Sequence, residues 1–169
     1  MAGAGPDGAL VYGFLAQPKE QLGRLAYYLH AAHLFATRRF PAFEVQFTPT
    51  ASGGPITCKA VSAIATRIGN LGGIFHGLTD ARASLQDSAL CLHLLDAPAL
   101  VSLPLWFLSG WLGLRRLNPF HHCVRVSAFS CRALNSPAPC VQADGEPLGR
   151  LAMQVSLVPN ALRILLPAT

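Results

Sequence analysis

Val141-Gln142-Ala143-Asp144-Gly145-Glu146-Pro147-Leu148-Gly149-Arg150 places two carboxylates one glycine apart. Directly after it, Leu151, Met153, Val155 and Leu157 alternate with Ala152, Gln154 and Ser156. Alternation of apolar and polar residues is the pattern of a half-buried strand. Asp-Gly between two strand-like segments is a common hairpin turn. The stretch therefore predicts two strands that meet at an acidic turn on the edge of a sheet. The chain has only 8 Asp and Glu in 169 residues, too few for the pair to be part of a diffuse charged surface.

Outward from this hairpin, the sequence keeps a β character. Val158-Pro159-Asn160-Ala161-Leu162-Arg163-Ile164-Leu165-Leu166-Pro167 follows, and Leu162 to Leu166 is predicted to close the sheet. Upstream, Cys123 to Phe129 reads as a strand with Val124, Val126 and Ala128 on one side. Leu90, Leu92 and Leu94 form another strand face, and Phe43, Val45 and Phe47 alternate with Glu44 and Gln46. Ile56 to Ile68 reads as one long β segment. Two stretches break the pattern. Leu22, Leu25, Ala26, Leu29, Ala32, His33 and Ala36 follow helical spacing, opened near Pro18 and stopped by Pro41. Pro98 to Leu114 is apolar on nearly every side and reads as a second helix. Residues 1–18 read as a loop or edge segment. Many short strands with one or two inserted helices imply a mainly β, antiparallel, β-sandwich-like single domain over 1–169.

Composition narrows the function classes. Hydrophobic residues make up 51% and charged residues 12%, the balance of a core-rich globular chain. So apolar a chain is expected to hide surface against a partner domain, a second copy in a homodimer, or a membrane face. The net charge of +5 comes without a basic block or a basic-aromatic ladder, which argues against nucleic acid. Anionic lipid or phosphate fits that charge. The five cysteines form no Cys-x-x-Cys pair and are odd in number, so reduced thiols and a cytoplasmic location are expected. Met1 to Leu10 shows no secretory signal. The apolar run from Ala97 to Leu114 is short for a spanning helix, which needs about 20 residues.

Several pieces in order resemble the C-terminal domain of the bacterial diacylglycerol kinase-like lipid kinases of the YegS type, relatives of the sphingosine and ceramide kinases. They are the Gly-rich start, Leu22-Gly23-Arg24-Leu25-Ala26-Tyr27-Tyr28, the loop ending in Gly72-Gly73, and Ser84-Leu85-Gln86-Asp87-Ser88-Ala89-Leu90. Gln142-Ala143-Asp144-Gly145-Glu146-Pro147-Leu148 and Pro159-Asn160-Ala161-Leu162-Arg163 complete the set, and the Asp-Gly-Glu segment is its specific part. The resemblance implies one lobe of a two-lobed enzyme. The other, N-terminal lobe of the family carries Gly-Gly-Asp-Gly-Thr and binds ATP; neither that motif nor a Gly-x-x-x-x-Gly-Lys-Ser/Thr phosphate loop occurs here.

What the resemblance implies about residues is specific. Glu146 would be the general base that takes the hydroxyl proton of a lipid alcohol such as diacylglycerol or a sphingoid base, with Asp144 orienting it or contacting the nucleotide-metal assembly. Asp87, with the backbone carbonyls of Ser84 and Ala89, would hold a structural Mg2+. The family usually has Asp-Gly where this chain has Asp87-Ser88. The enzyme would use ATP and work peripherally at a membrane surface. The residues also admit plainer readings: a solvated Asp-Gly turn, a strand-initiating Asp87, and a tight turn at Gly69 to Gly73. A non-catalytic lipid-binding or regulatory module is the alternative function.

Two further clusters stand out. His121, His122 and Cys123 invite zinc, but adjacent histidines on a strand point to opposite faces. Trp106, Phe107, Trp111 and Leu112, followed by Arg115 and Arg116, read either as a helix packed on the sheet or as an interfacial anchor.

Overall fold

The computed structural model describes residues 1–15, 23–51, 53–69, 78–79, 87–159 and 161, with backbone only for residues 15 and 23–28. The described residues form nine strands and three α-helices. The chain opens with β1 (Ala2–Ala4), α1 (Pro6–Leu15) and α2 (Gly23–Thr37). Then come β2 (Phe43–Pro49), β3 (Ile56–Ala60), β4 (Ser62–Thr66) and β5 (Leu90–Leu95). Helix α3 (Ala99–Trp111) and a 3-10 turn (Arg115–Leu117) lead into β6 (His121–Ala133). Strands β7 (Cys140–Ala143), β8 (Glu146–Arg150) and β9 (Met153–Ser156) follow.

All described strand pairs are antiparallel, in the order β3-β2-β6-β5-β4-β1-β7-β8, with β9 on β6. The 13-residue β6 is the spine. Its first half pairs with β5 through His121 to Val126, and its second half pairs with β9 through Ala128 to Cys131. Its other edge carries β2. One core joins Phe43, Val45 and Phe47 of β2 to Ala4 of β1, Ala63 and Ala65 of β4, Leu92 of β5 and Val141 of β7. The sheet is thus curled over a shared interior, the sandwich-like arrangement expected. Phe43, Val45 and Leu92 are completely buried, each contributing about 1.5–3 kcal/mol.

Every residue of β5 is buried. Leu90, Leu92 and Leu94 face the shared core. On the other face, Leu95 packs with Leu103 and Trp106 of α3, and the His93 ring lies 6.1 Å from Trp106. A second apolar layer therefore covers this part of the sheet.

Three expectations need correction. Residues 1–18 are not simply a loop or edge: a strand and a helix lie in them. Pro6 starts α1 at the position where its missing N–H costs nothing. The segment from Ile56 to Ile68 is two strands rather than one, because at Val61 the chain leaves its partner β2, and the Val61 N–H donates to the Leu95 carbonyl. Among the described residues there are three α-helices where one or two were expected. The closing segment Leu162 to Leu166 lies outside the described residues.

The paired histidines diverge as strand geometry requires. His121 stacks on His93, with Nδ1 of His93 3.0 Å from Nε2 of His121. His122 instead reaches Oδ2 of Asp96 at 3.1 Å. Burial, helped by Arg115 and His122 nearby, pushes the His121 imidazole down to about 4, so the ring is neutral at physiological pH.

Candidate functional site

The acidic turn is built by two residues. Ala143 pairs with Glu146, so Asp144 and Gly145 form a two-residue loop. Both have positive φ (47° and 85°), as a type I′ hairpin requires. Asp tolerates that region because its short side chain bonds locally, and glycine has no Cβ to clash.

The turn is held from beneath. Gln142 is completely buried, and its Oε1 accepts the Gly145 N–H at 3.0 Å. The Gln142 amide donates to Oδ2 of Asp7, in the first turn of α1. Further along α1, the Tyr12 hydroxyl accepts the Gly149 N–H at 2.5 Å. Gly149, at φ 110°, lies where β8 bulges against Val141. One helix therefore braces both ends of the hairpin.

Register places the other candidate residues at the same end of the sheet. Ala143 pairs with Ala2, Ala2 with Ala65, Thr66 with Cys91, and Leu90 with Val126. Along this rim lie Asp144 and Glu146, then Met1, Arg67, Asp87 and Arg125. Between them runs a groove of about 380 Å³ lined by Thr66, Arg67, Leu90, Asp144, Ser156 and Val158, among others. Asp144 lines the groove, is 83% exposed, and bonds the Met1 amine at 2.5 Å. Glu146, paired with Ala143, is exposed on the same rim and is not among the groove's lining residues. Both predicted catalytic carboxylates thus reach one edge, with Asp144 nearer the cavity.

Asp87 has a different environment from the one expected. Its Oδ2 pairs with Nη2 of Arg125 at 2.9 Å, and its carbonyl accepts from Nη2 of Arg67 at 3.1 Å. Ala89 is buried, and Ser84 lies outside the described residues. Two guanidinium groups at this residue oppose a divalent cation, so among the described residues Asp87 and Ala89 do not fit a magnesium site. Among the described residues no group of three or more His, Cys, Asp or Glu is placed to hold a metal. The loop Gly69 to Gly73 lies outside the described residues except for Gly69.

Sequence reading missed Arg67, Arg125, Asp7 and Gln142. Nothing local marks the arginines, which meet Asp87 only through strand pairing. Gln142 lies next to the motif, and a glutamine on a strand leading into a turn could have been suspected as its support.

Asp7 yields a test. Burial raises its carboxyl above the ordinary 3.8, against the lowering effects of Gln142 and the Met1 amine. The folded chain therefore holds this proton more tightly than the unfolded chain. The resulting stability is complete below pH 3.8 and is lost as pH rises through the folded value. Asp7→Asn keeps an acceptor for Gln142 and removes the titration. Its melting temperature should exceed that of the parent at pH 7, with the two converging in acid. Equal melting temperatures across the range would show that Asp7 carries no burial penalty.

Neither a family model nor a curated protein matches the chain. Solved structures do. A protein from Bacillus anthracis str. Sterne provisionally designated a diacylglycerol kinase aligns at 17% identity and a TM-score of 0.55, over 92% of this chain and 46% of its own. A diacylglycerol kinase from the same organism aligns at 18% identity and a TM-score of 0.52, over 92% and 47%. The chain thus has a diacylglycerol kinase-like fold and spans less than half the length of these proteins. At such identities the likeness is one of fold.

Proposed function

We propose that this chain is the β-rich lobe of an ATP-dependent lipid kinase, which transfers the γ-phosphoryl group of ATP to the hydroxyl of a lipid alcohol. Glu146 takes the hydroxyl proton. Asp144 supports it from the groove side. The observation that supports this reading is the braced acidic hairpin at the edge of a groove, on a fold shared with diacylglycerol kinases. Such a turn fixes the backbone from which both carboxylates project, which favours proton transfer at a positioned hydroxyl. Arg67 supplies a cation in the same groove, suited to phosphate oxygens.

Nucleotide binding falls to a second lobe facing the rim. ATP and its Mg2+ arrive with that lobe, and magnesium there neutralises the charge of the phosphates. In this reading Asp87 joins Arg67 and Arg125 in holding the rim together.

The test restores a nucleotide-binding lobe to the chain and supplies labelled ATP with vesicles containing diacylglycerol, a sphingoid base or ceramide. Label should appear in at least one lipid. A folded, ATP-binding two-lobed protein that labels none of them overturns the proposal.

A further inference from the structure

Helix α3 poses a problem that the rim does not solve. A helix apolar on every side belongs in an interior. Its inner face obeys: Ala99, Ser102, Leu103, Trp106 and Gly110 are buried. Its outer face does not. Leu100 is 61% exposed and Trp111 68%, and Leu117, in the 3-10 turn just beyond, is 75%. Leu108, Leu112 and Leu114 are exposed as well. Between α3 and that turn runs an apolar groove of about 210 Å³. So many neighbouring large apolar side chains in water mark a surface that is covered in use.

We infer that the outer face of α3, with the turn after it, docks on an anionic lipid bilayer. Charge selects this occupant. From Ala97 to Phe120 there is no Asp or Glu, and the charged residues are Arg115 and Arg116, at the end of the apolar face. Arg115 is tied to the body through the Thr79 carbonyl, and Arg116 is exposed. A second copy would bring another face of the same composition, with no carboxylate to receive the arginines. A nucleotide-binding lobe must face the rim, whereas α3 leaves β5 at Leu95 and returns to β6 at His121, the strand ends away from it. That step alone rests on the proposed function. Anionic headgroups meet the arginines, and the apolar face enters the headgroup boundary. An exposed tryptophan beside arginines is at home at that depth. No helix among the described residues is long and apolar enough to cross a membrane, so α3 lies along the surface.

The experiment uses the chain without nucleotide, so a failure of phosphoryl transfer leaves it readable. Vesicles of phosphatidylcholine alone are compared with vesicles that also contain phosphatidylserine. Binding to the anionic vesicles should be about 30-fold tighter, given about 1 kcal/mol for each of the two arginines near the surface. Trp111 emission should shift to the blue and be quenched by brominated lipid, and Trp111→Phe should abolish both changes, because Trp106 is only 4% exposed. Leu108→Ser with Leu117→Asp should remove binding while leaving the melting temperature unchanged. No binding to anionic vesicles, or equal binding to neutral ones, overturns the inference. So does a stable dimer in solution that the same double substitution dissociates.

Discussion

Glu146→Gln in the two-lobed protein is expected to lower turnover by about 100-fold or more, the usual worth of a positioned general base. The amide keeps the shape and polarity of the side chain and removes its ability to take a proton. Glu146 is exposed at the first position of β8. The substitution should therefore move the melting temperature by no more than about 2 °C. Under the proposed function ATP binding should be unaffected, because the nucleotide would be held by the other lobe. Asp144→Asn should cost less than Glu146→Gln if, as proposed, Asp144 only supports the base. Turnover by Glu146→Gln equal to that of the parent would remove Glu146 from the reaction.

Gly8→Leu should be among the most damaging single changes to stability. A Cβ on Gly8 would lie 2.3 Å from the Cys140 carbonyl oxygen and 2.5 Å from its carbon. Both are backbone atoms of β7, which cannot swing aside as a side chain does. The helix would have to lift from the strand, separating Asp7 from Gln142 and Tyr12 from Gly149. That loss of packing and of buried hydrogen bonds is expected to cost about 4 kcal/mol, at the severe end for one substitution. The melting temperature should fall by about 8 °C or more. Gly54→Leu is the control, because nothing lies within 4 Å of a Cβ there. A Gly8→Leu protein that melts with the control would mean that α1 does not brace the hairpin.

How much of this was legible in the sequence depended on whether side chains carried the signal. Phe43-Val45-Phe47, the alternation from Leu151 to Leu157 and the Asp-Gly turn announce themselves, because burial on one face writes a period of two into the chain. Helix α3 was equally plain from its run of residues apolar on nearly every side. The N-terminal strand and helix were not. Gly5 and Gly8 are small because backbones approach closely there, Gly3 because the Asp7 and Gln142 side chains do, and small residues leave no hydrophobic period. The break at Val61 is set by a bond to Leu95, 34 residues on. In the candidate site, the two hairpin carboxylates could be read locally. Their support could not: Asp7 and Gln142 are 135 residues apart and meet only when β1 inserts between β4 and β7. The same holds for Asp87, whose motif suggested a metal until strand pairing brought Arg125 to it.

The placement of α3 has one last consequence. Its roots, at Leu95 and His121, stand at one end of β5 and β6, and the acidic turn stands at the other. Five residue steps from Leu90 to Leu95 span about 17 Å. These strands act as a ruler: any surface that α3 rests on is held at a set standoff from the hairpin. Adding one two-residue pleat to both strands would lengthen that ruler by about 7 Å without turning a single side chain to the other face.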